Sequence, residues 1–278
     1  MPDSGAIDPA IVHLYGAVPS AVAATIVAMT KELARTVPCP PDDPYYGLDR
    51  TGGPSLAALR RLTRHGDFRK YVFVLDAGSG LGGTTRWLAL RYGCRVLGLE
   101  ACSERARTAH RLSERLGLDG RVQTVTGSFE AIPVADGVFT QIWSVETLHH
   151  ATSRRRALAE LYRVLRPGSP LALQEIVRAD DSVPQLGGPW RHGTREEYLE
   201  ALDAVGFRHV TCDDVTGERD EPSPVVLSAQ EQLTARLETE LPADAPWHEA
   251  RRVLAAAADA MAPPAYRVVQ LFARRPSV

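Results

Sequence analysis

Three groups of residues in this 278-residue chain have the types and spacing to do chemistry. The first is a glycine turn, Gly78-Ser79-Gly80-Leu81-Gly82-Gly83, with an acid, Asp76, two residues ahead of it. Without a Cβ, glycine lets backbone come close to a ligand. The second is Glu100, about 20 residues past the turn, the spacing at which a carboxylate accepts from the ribose hydroxyls of a nucleoside. The third is Glu146-Thr147-Leu148-His149-His150, followed downstream by Glu175. Histidine has an ordinary pKa of about 6.5 and can take a proton near neutral pH. A carboxylate beside it can orient the ring or hold a substrate.

The glycine turn admits two ligands. Gly78, Gly80 and Gly83 fit the GxGxxG fingerprint in which a helix N-terminus holds a pyrophosphate. Asp76 argues for the other, because its position places a negative charge toward the ligand. A carboxylate repels a pyrophosphate and suits a cation, such as an amino or sulfonium group.

These groups need elements to position them. Val72-Phe73-Val74-Leu75 is a short apolar run, the mark of a strand buried on both faces, and a helical run through Trp87 follows the turn. Further strands are expected at 95–100, 121–126, 139–145, 170–177, 207–215 and 266–273, with helices at 103–116, 153–165 and 194–205 between them. Thr194-Arg195-Glu196-Glu197 reads as a capping box. Strand-helix alternation with short connections predicts an α/β fold, a parallel sheet covered on both faces. Its ligands bind past the C-terminal strand ends, where Asp76, Glu100, Ser128, Glu146, His149 and Glu175 fall. Ahead of the core, helices are expected at 20–36, starting near Pro19, and at 55–65, entered through Gly53-Pro54. Residues 1–18 are expected to wrap loosely. The link between the last two strands is long, with helices at 229–241 and 247–261, and reads as a substrate cap or a dimer surface. The expected division is an N-terminal helical arm at 1–66, a core at 67–216, a helical cap insertion at 217–265, and a last core strand and tail at 266–278.

Composition excludes some functions. A net charge of −2, from 32 basic and 34 acidic residues, leaves no basic stripe for a nucleic acid. Arg154-Arg155-Arg156, the densest basic run, reads as a solvated helix start. Cys39, Cys94, Cys102 and Cys212 are scattered without zinc-ligand spacing, so no metal is expected and the thiols read as reduced. No basic-then-apolar leader is seen, and the apolar run 17–29 is too short to span a bilayer. A soluble, cytoplasmic protein with no membrane partner is expected.

Asp76-Ala77-Gly78-Ser79-Gly80-Leu81-Gly82 resembles the D/E-x-G-x-G-x-G signature of class I S-adenosylmethionine-dependent methyltransferases. Leu165-Arg166-Pro167-Gly168 resembles the LxPGG turn of their type-11 family, with Ser169 for the second glycine. The 146–150 segment is similar to that of antibiotic-pathway sugar O-methyltransferases, and Trp143-Ser144 to tocopherol and sarcosine methyltransferases. The resemblance spans about 200 residues. It implies a Rossmann-like seven-stranded sheet with an antiparallel last strand and methyl transfer to a small, secondary-metabolite acceptor at O, N or C. S-adenosylmethionine would be the cofactor and S-adenosylhomocysteine the product. By the resemblance, Asp76, Gly78, Ser79, Gly80, Gly82, Glu100, Ala101, Ser128, Phe129, Ser144 and Glu146 would hold the cofactor. Ser128 stands where many relatives carry an acid against adenine. His149 or His150 would be the base, with Glu175 in the place of an aspartate. Tyr15, Tyr45, Tyr46, Trp143 and Trp190 are candidates for an aromatic acceptor pocket.

Two other classes compete. An NAD(P)-dependent oxidoreductase would need a nicotinamide site. No Tyr-x-x-x-Lys pair exists, and Lys31 and Lys70, the two lysines, both precede the turn. A protein that binds S-adenosylmethionine without methylating, such as a cyclase, would share every cofactor residue.

Overall fold

Strands this apolar can be buried only if helices cover both faces of their sheet. The computed structural model describes residues 7–17, 21–50, 55–66, 68–218 and 224–277. The helix start expected near Pro19 and the Gly53-Pro54 entry to the second helix lie outside them. Three helices precede the sheet: α1 (Pro9–Gly16), α2 (Val22–Leu33) and α3 (Leu56–Leu62). The core then runs β1 (Phe73–Ala77), α4 (Gly83–Tyr92), β2 (Arg95–Glu100), α5 (Ser103–Glu114), β3 (Val122–Thr126), β4 (Gln141–Val145), α6 (Arg154–Val164), β5 (Pro170–Arg178), α7 (Arg195–Val205) and β6 (Arg208–Asp214). Two long helices, α8 (Pro224–Glu240) and α9 (Pro246–Ala260), lead to β7 (Tyr266–Arg274).

The seven strands form one sheet in the order β3-β2-β1-β4-β5-β7-β6. Strands β1 to β5 pair in parallel, and β7 runs antiparallel to both its neighbours. The chain winds outward from β1 in one direction and from β4 in the other. This switch point opens a crevice beyond the C-terminal ends of both strands. Leu75, Ile142, Leu158, Leu161, Leu173 and Phe207 fill one face of the sheet, and Val74, Trp87, Leu88, Trp143 and Phe272 the other. Ile26, Met29, Leu48, Leu81, Leu112 and Leu233 join α2 and α8 to this core.

One expectation fails at the N-terminus. Residues 9–16 do not wrap loosely but form α1, which starts where the Asp8 side chain accepts from the Ala10 amide with Pro9 at the first helical position. No helix of the described residues is long and apolar enough to cross a membrane.

Candidate active site

The crevice is a cavity of about 460 Å³ above the C-terminal ends of β1, β2 and β4, roofed by α1 and α9. Its floor is the glycine turn. Gly78 and Gly80 take φ of +85° and +58°, a region that costs residues with a Cβ, and a Cβ on Gly78 would lie 2.4 Å from Thr147. The turn is tied to β2. The amides of Gly78 and Ser79 donate to Leu99 O (2.8 and 3.0 Å), and the Gly80 amide donates to Glu100 Oε2 (2.8 Å). Glu100 Oε1 accepts from the Cys102 amide (3.0 Å). Three turn amides that a pyrophosphate would need are therefore spent inside the protein, and a carboxylate is braced in their midst. The floor favours hydroxyl and cationic groups over phosphate. Ser79 Oγ adds a buried oxygen with no hydrogen-bond partner among the described residues, on a residue that lines the cavity.

Asp76 is placed otherwise than expected. It is buried behind the cavity wall, and its Oδ2 accepts from Thr84 Oγ1 (2.7 Å) and Thr85 Oγ1 (2.6 Å). Its role here is to clamp the first turn of α4 to β1. Burial pushes its pKa up. Gly82 and Ser144 also stand back from the cavity: a Cβ on Gly82 would meet the Arg86 guanidinium, and Ser144 Oγ bonds Thr147 Oγ1 (2.7 Å). Gly78, Ser79, Gly80, Glu100, Ala101, Ser128, Phe129 and Glu146 do line it.

The other wall carries the histidines. Strand β4 ends at Val145, and Glu146 turns the chain with φ +53°, an uncommon value for a residue with a side chain. Its amide donates to Gln174 O (2.6 Å), and its Oε1 accepts from Gln174 Nε2 (2.8 Å), which holds the turn. A short 3₁₀ turn, Leu148–His150, follows. Glu175 Oε1 accepts from the amides of Thr147 (3.3 Å) and Leu148 (3.0 Å). Its Oε2 lies 3.3 Å from His149 Nδ1 and accepts from Tyr198 Oη at 3.3 Å. Burial pushes the Glu175 pKa up to about 7, although the Leu148 and Thr147 amides pull it down. Glu175 itself lies behind the cavity and touches it through His149.

Both histidines line the cavity. His149 Nδ1 faces Glu175, and His150 Nδ1 faces Pro189 O at 3.1 Å. Against the Pro189 carbonyl His150 Nδ1 is the protonated nitrogen, and against the ionised Glu175 carboxylate His149 Nδ1 is, which leaves each Nε2 as the basic lone pair. Burial first, and then neighbouring His192, lowers the His149 pKa well below 6.5; burial and then His149 do the same for His150. The rings stack in a column. Tyr15 of α1 lies edge-on to His150 at 5.0 Å, His150 is 4.1 Å from His149, and His149 stacks on His192 at 4.3 Å.

Of the expected aromatic pocket, Tyr15 and Trp190 line the cavity and three residues do not. Tyr45 packs with Leu48 and Leu81 and donates to Leu112 O (2.8 Å), and Tyr46 donates to Val37 O (2.9 Å). Trp143 is buried against Trp87 and Phe68 on the opposite side of β4. Residues the sequence did not single out also take part. His192 backs His149, Arg105 lies 5.4 Å over the Tyr15 ring, and Ile176, Leu254, Ala258 and Met261 close the far end. The 254, 257–258, 261 spacing on α9 was a readable amphipathic signal; His192, alone in a loop, gave none.

Comparison with known proteins bears on this geometry. Residues 75–173 match a methyltransferase domain, the stretch that holds the glycine turn, Glu100 and both histidines. A sarcosine/dimethylglycine N-methyltransferase of Halorhodospira halochloris is 33% identical over 151 residues, 52% of this chain and 54% of that protein. The chain spans about a third to a half of the length of the curated relatives it matches. Among solved structures, the [4+2]-cyclase SpnF superposes with a TM-score of 0.65 at 23% identity, covering 80% of this chain and 82% of that one. Geranyl diphosphate C-methyltransferase from Streptomyces coelicolor A3(2) superposes at 0.59 with 19% identity, covering 79% of each chain. At these identities the likeness establishes the methyltransferase fold.

Proposed function

We propose that the chain is an S-adenosylmethionine-dependent methyltransferase acting on a small molecule, with a histidine as base. The observation that carries this reading is the floor: spent turn amides around a braced Glu100 carboxylate suit a ribose and a sulfonium, not a pyrophosphate. Glu100 would accept from the ribose hydroxyls. Ser79 Oγ supplies a free polar atom, and Ala101, Ser128 and Phe129 flank the space for the base. When bound, S-adenosylmethionine supplies a methyl group already activated by its sulfonium.

The protein then aligns the acceptor and keeps water out. His149 takes the acceptor's proton on Nε2 as the new bond to carbon forms. Glu175, across 3.3 Å, holds the ring in that tautomer and stabilises the imidazolium. His150, next to it and under Tyr15, contacts the acceptor. The low pKa values of both rings keep them neutral at physiological pH, the state a base requires.

The test is incubation of the full chain with isotope-labelled S-adenosylmethionine and a panel of hydroxylated and amine acceptors, followed by mass spectrometry. The reading expects label in the acceptor and S-adenosylhomocysteine as coproduct. Nucleoside binding with an acceptor rearranged but unlabelled would favour a cyclase instead.

A further inference from the structure

The cavity has two chemically different ends. One holds Ser79, Glu100 and Ser128. The other, past His149 and His150, is closed by Ile176, Trp190, Leu254, Ala258 and Met261. Leu254, Ala258 and Met261 recur at three- and four-residue steps and so share one face of α9 and the turn that follows. Trp190, Leu254 and Met261 pack in one cluster, Met261 also packs against the cluster that holds Ile176, and all four line the same cavity.

The charged groups around the cavity are mostly engaged elsewhere. Asp8 pairs with Arg191 (2.7 Å), Asp49 with Arg86 (2.7 Å), Arg50 with Asp43 (2.6 Å), and Arg251 with Glu238. Glu130 accepts from Thr152 and from the Ser153 amide, and Glu146 from Gln174 Nε2 (2.8 Å). Arg105 lies against Gly80 and over Tyr15, on the nucleoside side. At the α9 end the charged lining side chain among the described residues is Arg251, and it is held by Glu238. A carboxylate or ammonium placed there would be desolvated without an unengaged partner. An apolar surface placed there gains from burial.

We propose that the acceptor is an uncharged, mainly apolar ring compound with an ionisable hydroxyl, and that Ala258 limits its size. This rests on the function proposed above. The ring body lies against Ile176, Trp190 and the α9 face, and the hydroxyl reaches the Nε2 atoms of His149 and His150. A hydroxyl rather than an amine fits, because two imidazoles with free lone pairs stand ready for a proton that a neutral amine need not lose before transfer. A zwitterionic amino acid such as sarcosine finds no unengaged partner for its charges at this end.

The full chain saturated with S-adenosylhomocysteine is titrated with 3-hydroxyflavone, whose emission reports its surroundings, and with the smaller 2-naphthol. Saturable binding of both is expected. Ala258→Phe should weaken 3-hydroxyflavone by about tenfold or more, the usual scale of steric overfilling, while 2-naphthol and S-adenosylhomocysteine stay within about threefold. Ala258→Leu serves if the phenylalanine variant does not fold. Displacement of the flavone by millimolar sarcosine, or indifference of flavone binding to both variants, overturns the proposal. So does a chain that binds S-adenosylhomocysteine and no flavone. A chain that does not bind S-adenosylhomocysteine overturns the proposed function itself.

Discussion

The Glu175 carboxyl collects the Thr147 and Leu148 amides on one oxygen and faces Tyr198 and His149 with the other. It therefore fixes the histidine turn and the His149 ring at once. With its pKa raised from 4.5 to about 7, the folded chain holds this proton where the unfolded chain has released it. Its contribution to stability is complete below pH 4.5 and is lost as pH rises through about 7. The lost amount is on the order of 3 kcal/mol, at about 1.4 kcal/mol per pKa unit. The lowered histidines act the other way, losing stability as pH falls below 6.5. Comparing wild type with Glu175→Gln isolates the acid: urea unfolding should show the variant's stability falling less between pH 4.5 and 7. Equal slopes would mean that Glu175 is ionised throughout. At the same scale, His149→Ala should lower kcat by roughly 100- to 10,000-fold with S-adenosylhomocysteine affinity unchanged, as expected for a lost general base. An unchanged kcat would remove His149 from that role. The acid limb of kcat/KM should lie below pH 6.5, following the direction of the His149 shift.

Elements bring these residues together by close approach. A Cβ on Gly83, at the start of α4, would lie 2.4 Å from Arg50 Cγ and 2.8 Å from Asp49 O. The 41–50 segment thus packs on bare backbone beside the cavity. Gly83→Ala should cost about 1 to 3 kcal/mol, the range for overpacking, read as a lower melting midpoint. An unaltered midpoint would show that the segment yields freely. The strands were legible because runs such as Val72-Phe73-Val74-Leu75 are apolar on both sides, and the α7 capping box appears as spelled, with Thr194 and Glu197 bonded reciprocally. Facing was less legible. Trp143 and Asp76 sit on strands, where neighbouring side chains alternate between faces, and residue type does not say which face meets the ligand. The α1 roof carried a signal in Asp8-Pro9, yet so short a segment gains its order from docking: Tyr15 on His150 and Asp8 on Arg191.

At the scale of the whole molecule, the cavity is assembled from α1, the β1, β2 and β4 ends, the 189–192 loop and α9. A ligand that touches all of them ties the helical cover to the sheet. By mass action alone, S-adenosylhomocysteine at 100 times its Kd should stabilise the fold by about 2.7 kcal/mol, seen as a raised melting temperature. Glu100→Ala should weaken its binding by roughly 10- to 150-fold, equivalent to about 1.5 to 3 kcal/mol for hydrogen bonds to a charged group. The central claim is that the braced carboxylate and spent amides of the floor select a sulfur nucleoside over a dinucleotide. Calorimetric titration of the full chain with S-adenosylhomocysteine and, separately, with NAD tests it directly. Saturable binding of the first and no heat from the second is the predicted result; tight NAD binding with no response to S-adenosylhomocysteine would contradict it.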